Sequence, residues 1–161
     1  MKKLALVILL VAVAIAAFAE HNKHKKKAIA ANNITSVSLR HTACYGRCPI
    51  YSIEVNKNGI ATYTATRFNL DTGVFTKNIG VTKAMGIINQ FNIYKVDTCK
   101  DRYDSRVPDL PGTILTIKYD STTKTILDAS AGPPILAKLR AMMDSLITKK
   151  LDDTWQKIPG K

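Results

Sequence analysis

From Ser36 onward the chain alternates. Val37, Leu39 and His41 share one parity, and Ser36, Ser38 and Arg40 the other, which is the period-2 pattern of a half-buried strand. Tyr51, Ile53 and Val55, set against Ser52, Glu54 and Asn56, repeat it. Asn56-Lys57-Asn58-Gly59 follows, and Asn-Gly signals a hairpin because both residues tolerate positive φ. Ile60 to Arg67 reads as the returning strand, Asp71-Thr72-Gly73 as a turn, and Val74 to Ile79 as a fourth strand.

The period then changes. Thr82 is a candidate N-cap for a helix with Ala84, Met85, Ile88 and Phe91 on one face. Residues 94–112 carry no period. Leu115, Ile117 and Tyr119 open another strand, Asp120 to Thr123 turn, and Lys124 to Ala129 return. Gly132-Pro133-Pro134 breaks the sheet and pre-sets the first turn of a last helix. In that helix Ile135, Leu139, Met142 and Leu146 form a stripe, with Leu136, Met143 and Ile147 beside it. Strands, helix, strands, helix predicts a single α+β domain with an antiparallel sheet and its helices packed on one face.

The two ends lack these periods. Lys2 and Lys3, the apolar run Leu4–Phe18 and the small-x-small triplet Ala17-Phe18-Ala19 read as a signal peptide over residues 1–19, with Glu20 as the new N-terminus. The run is shorter than the roughly 20 residues a spanning helix needs, so no stable membrane span is expected after cleavage. Residues 20–33 read as a basic linker, 34–150 as the domain, and 151–161 as a polar tail in which Trp155 and Ile158 are the residues fit to dock. Cleavage leaves 142 of 161 residues, enough for one core.

The net charge of +12 falls by two, to +10, with loss of Lys2 and Lys3. Four lysines sit in the cluster His21–Lys27, which suits a solvated tether or attraction to an anionic envelope component. Beyond it the basic residues are interspersed with acids and form no aromatic-interleaved stripe, which argues against nucleic-acid binding.

Candidate chemistry concentrates in Cys44-Tyr45-Gly46-Arg47-Cys48-Pro49-Ile50-Tyr51, between the first two strands. In an exported chain neighbouring thiols usually pair. Closing the loop Cys44–Cys48 is worth about 2 kcal/mol in chain entropy, and a bridge from either to Cys99 about 4 kcal/mol. Loop entropy favours the long bridge, whereas proximity favours the short one. The short bridge, with Cys99 left over, is the reading adopted; connectivity stays open at this level.

Two chemical alternatives attach to the same residues. Redox catalysis by Cys44 and Cys48 would want C-x-x-C at a helix N-terminus, but the spacing is one residue longer and Pro49-Ile50-Tyr51 reads as a strand. A metal site would need His41, Cys44 and Cys48, with Cys99 as a fourth ligand; His41 has the parity of Val37 and Leu39, so a hydrogen-bonded histidine on a half-buried face is the plainer reading. No metal or cofactor is expected. No nucleophile elbow, H-E-x-x-H, P-loop or dinucleotide fingerprint occurs.

The stretch Cys44-Tyr45-Gly46-x-Cys48-Pro49-x-Tyr51, followed by Asn58-Gly59 and a strand bearing Tyr63, resembles the signature of a bacterial family of exported proteins known as domain of unknown function 6438. Tyr103 and Asp109-Leu110-Pro111 would match the family's second box, and the resemblance runs from about Val37 to Leu146. Cys99 lies outside that pattern. The resemblance implies the domain and no particular activity.

These readings converge on an exported, non-catalytic binding or interaction module of the periplasm or cell envelope. Tyr45 and Arg47 are its surface-contact candidates. Gly46, Pro49, Tyr51, Tyr103, Asp109 and Pro111 are the residues expected to shape the motif, and an envelope protein or anionic envelope component is the expected partner.

Overall fold

The computed structural model describes residues 33–106, 110–147 and 151–159. The strands are β1 (Ile34–His41), β2 (Ile50–Asn56), β3 (Ile60–Arg67), β4 (Gly73–Asn78), β5 (Arg102–Tyr103), β6 (Thr113–Tyr119), β7 (Thr123–Asp128) and β8 (Gln156–Lys157). The helices are α1 (Val81–Ile93) and α2 (Pro134–Asp144), with a 3-10 turn at Val96–Thr98. The strands form one sheet of eight in the order β5-β7-β6-β1-β2-β3-β4-β8.

Alternation explains why the core lies on one side. Val37, Leu39, Ile53, Val55, Ala61, Leu115, Ile117 and Ile126 are buried on a single face. There Ile87, Ile88 and Phe91 of α1 and Leu136, Leu139 and Met143 of α2 pack into the same cluster. The opposite face carries Ser38, Ser52, Thr62, Thr64 and Thr116, in register across neighbouring strands. A bulge in β1 between Ile34 and Ser36 turns Ile34 into the core although its parity opposes that of Val37.

The expected α+β architecture with a mainly antiparallel sheet is present, with differences in detail. β5 runs parallel to β7, and it falls in the segment expected to be irregular. β8, within the segment read as a polar tail, extends the other edge by pairing with β4. Strands of two residues have no period to detect.

Helix α1 also begins differently. Thr82 does not cap it; Gly80 holds the cap position at φ 81, without a side-chain cap. The start is set by backbone instead. Asn56 Oδ1 accepts the amides of Asn58 and Ile60, closing the hairpin, and Gly59 at φ 88 then lies against Gly80 and Val81. A Cβ on Gly59 would stand 2.8 Å from Gly80 C and Val81 N. Helix α2 ends at Asp144, one turn earlier than its apolar stripe suggested, and its buried line is Leu136, Leu139 and Met143.

Gly59→Ala is therefore expected to cost about 1–3 kcal/mol, from strained φ and backbone contact together. Gly86→Ala, whose Cβ meets nothing within 4 Å on an exposed helix face, is expected to stabilise by roughly 0.5–1 kcal/mol. Urea denaturation of both variants checks the pair.

Candidate functional site

Residues 42–49 connect β1 to β2, and both ends of this loop are fixed. At its start the Thr42 amide and hydroxyl donate to Gly112 O at 2.9 and 3.0 Å, and Thr42 Oγ1 accepts the Gly112 amide at 3.0 Å. Cys44 and Cys48 then form a disulfide with Cα atoms 5.8 Å apart. Within it the Gly46 amide donates to Cys44 O at 2.9 Å, with Gly46 at φ 153. This turn throws Tyr45 outward to 92 % exposure, with Arg47 also exposed. Cys99 is half-buried and free. Pro49 leads into β2, so neither bridged sulfur sits at a helix N-terminus, where a dipole would favour a thiolate.

Behind the bridge, three polar side chains meet at one end of the sheet. His41 closes β1 and Tyr51 lies near the start of β2, both on the core face. Their rings lie 4.4 Å apart. Asp144, the last residue of α2, reaches both: Oδ1 accepts the Tyr51 hydroxyl at 2.9 Å and lies 2.9 Å from His41 Nε2. The carboxylate thus ties the end of the helix to two strands. Burial, then the charge of Asp144 and the hydrogen bond to it, push the Tyr51 phenol well above its ordinary value of 10. Tyr51 is accordingly a neutral donor throughout the physiological range.

The aromatic row continues through Tyr63, 5.6 Å from Tyr51, to Phe75 and Trp155 at 6.2 and 6.1 Å. The loop after β3 folds over it. Asn69 Nδ2 donates to Ile50 O and Arg67 O, and Asn69 Oδ1 accepts the Tyr63 hydroxyl at 3.2 Å. Phe68 adopts a left-handed φ of 58, and Phe68 and Leu70 stay exposed. Between this loop and the end of α2 opens a cleft of about 430 Å³, lined by Pro49, Tyr51, Tyr63, Phe68, Asn69, Leu70, Asp144 and Ile147.

The structure sorts the residues singled out from sequence. Pro49 and Tyr51 line the cleft, Cys44 and Cys48 bridge beside it, and Tyr45, Gly46 and Arg47 form the exposed tip. Tyr103 lies elsewhere, on β5, separated from β1 by β7 and β6, and its hydroxyl accepts the Lys100 amide at 3.1 Å. Asp109 lies outside the described residues. Pro111 is exposed and precedes Gly112, the residue that holds Thr42.

His41, considered as a metal ligand, bonds Asp144 instead, and of the candidate cysteine ligands Cys44 and Cys48 are bridged to each other while Cys99 is free. Among the described residues no group of three or more His, Cys, Asp or Glu side chains is placed to hold a metal ion. Asp144 had not been singled out. One signal was available: an acid in the last turn of a helix opposes the macrodipole, so its presence asks for a partner elsewhere.

The model of the family described as Domain of unknown function (DUF6438) matches residues 35–147. The chain belongs to this family. The DUF6438 span begins at the second residue of β1 and ends at Ile147, and so includes each of the described residues that line the cleft. No curated protein matches the chain.

Two outcomes follow from this geometry. A phenol with a raised folded-state pKa contributes fully below the unfolded value of 10, and that contribution is lost as pH climbs towards the raised value. Tyr51→Phe should therefore be less stable than the parent by about 1 kcal/mol at neutral pH, with the gap closing above pH 10. Denaturation at neutral and alkaline pH measures it; a constant gap would contradict the contact with Asp144. Replacing Cys44 and Cys48 together by serine should cost about 2 kcal/mol, read by denaturant titration of the oxidised parent against the variant.

Proposed function

We propose that the chain is an exported, non-catalytic binding module of the cell envelope, whose ligand site is the cleft between the β3–β4 loop and the end of α2. The cleft is the observation that carries this reading. Three rings, a prolyl ring and two aliphatic side chains form its walls, and an amide and one carboxylate supply its polar points. That mixture of apolar wall and few convergent polar groups is what small-ligand and side-chain sites have in common. The lining groups are suited to recognition: Tyr51 is held as a neutral donor, and Asn69 and Asp144 already orient their neighbours.

Export is supported by the leader-like segment of residues 1–19 and by the Cys44–Cys48 bridge, which suits an oxidising compartment. No helix among the described residues is long and apolar enough to cross a membrane. Tyr45 and Arg47, presented by the bridged loop that runs into Pro49, extend the same contact surface.

The test uses Trp155, the single tryptophan of the chain, which packs edge-on against Tyr63 and so reports on the cleft wall. Fractions of an envelope extract are titrated into the native protein and into the Phe68→Ala/Leu70→Ala variant, which strips two exposed side chains from the cleft. A fraction that shifts Trp155 emission should act on the variant about tenfold more weakly, the loss of one good contact. An equal response from both proteins, or no response from either, removes the cleft as the site. A parallel Tyr45→Ala/Arg47→Ala protein shows whether the tip shares the contact.

A further inference from the structure

We propose that the cleft takes an aliphatic ammonium group, the side chain of a lysine on a partner protein; this rests on the cleft being the binding site. The aromatic lining and Asp144 both point to a cation. Tyr51, Tyr63 and Phe68 line one space, and the face of an aromatic ring attracts ammonium ions through its quadrupole. The Asp144 carboxylate opens into that space with 31 % of its side chain exposed. Both of its donors among the described residues, Tyr51 and His41, share Oδ1, and Oδ2 accepts none among them. Asp144 is also the final residue of an eleven-residue helix, so the negative end of the macrodipole adds to its charge.

The surroundings sharpen the choice. On a chain of net charge +12, the described residues that line this cleft include no lysine, arginine or histidine. Two basic side chains reach the lining from outside it, Arg67 standing 5.1 Å from the Phe68 ring centroid and His41 bonding Asp144 Oδ1, which leaves Oδ2 as the point for an incoming cation. The apolar lining of Pro49, Leu70 and Ile147 suits a methylene stem, which buries readily beneath a charged head. A phosphoethanolamine headgroup fits less well. Its phosphate lies two carbons from the nitrogen, so seating the amine at Asp144 would draw an anion among the rings with no lining cation to receive it.

Calorimetric titration of the native protein with N-acetyl-lysine methylamide tests this. The norleucine counterpart, with a methyl in place of the ammonium, and glycerophosphoethanolamine serve as the comparison ligands. The lysine probe should saturate, with the norleucine probe at least about tenfold weaker. Asp144→Asn should weaken the lysine probe by a similar factor. Equal affinity for norleucine, tighter binding of glycerophosphoethanolamine, or no saturation by lysine overturns the assignment. If Asp144→Asn does not fold, the lysine-to-norleucine ratio of the native protein decides. An envelope fraction that shifts Trp155 in the native protein but not in Phe68→Ala/Leu70→Ala, together with no lysine preference, would remove this ligand and leave the cleft as a site. Silence in both experiments would remove both.

Discussion

The sheet is held together through β1. Its neighbours are β2, reached by a short loop, and β6, which arrives only after α1 and the 3-10 turn. One side of β1 is therefore closed locally, and the other at long range. Each depends on Val37 and Leu39 facing the helices, since a slip of one residue would turn both to the hydroxyl-bearing face. The bulge at Ile34 lets the strand keep that register with β6 while still burying its first residue. Everything near the cleft inherits its position from this strand: His41 is its last residue, and Thr42 immediately after it is tied to Gly112.

At that end of the sheet, packing and chemistry merge. Met143 anchors the last turn of α2 in the core, and Asp144, the next residue, is delivered to the two strand ends. The same helix that covers β1 therefore builds one wall of the cleft. The opposite wall depends on Asn69, whose amide bonds two backbone carbonyls and whose oxygen takes the Tyr63 hydroxyl. A loop held by side-chain hydrogen bonds in this way can leave Phe68 and Leu70 exposed without losing its shape. The family match reaches Ile147, whereas Trp155, which backs Tyr63, lies beyond it.

Much of the fold was legible where the local signal was strong. The alternation in β1, β2 and β3 and the Asn58-Gly59 turn define these strands because period and turn chemistry agree. The start of α1 was not legible from Thr82, because a backbone contact between Gly59 and Gly80 sets it. β5 and β8 were hidden because edge pairing of two residues is decided by neighbouring strands. The site divides in the same way. Pro49 and Tyr51 stood out in one unusual stretch, whereas Asp144 comes from 93 residues beyond Tyr51 and 103 beyond His41. No local pattern encodes such a meeting; only an acid at the wrong end of a helix hinted at it.

The bridge between Cys44 and Cys48 closes a ring of only five residues around Tyr45. The shape of that ring is set covalently, by a cross-link and a glycine, and owes little to the hydrophobic core behind it. Its backbone is therefore already ordered before anything touches it. Contact with Tyr45 costs little beyond the freedom of the side chain itself, about 0.5–1.5 kcal/mol. The Tyr45 ring, at 92 % exposure, thus projects into solvent from a backbone whose shape the cross-link already fixes.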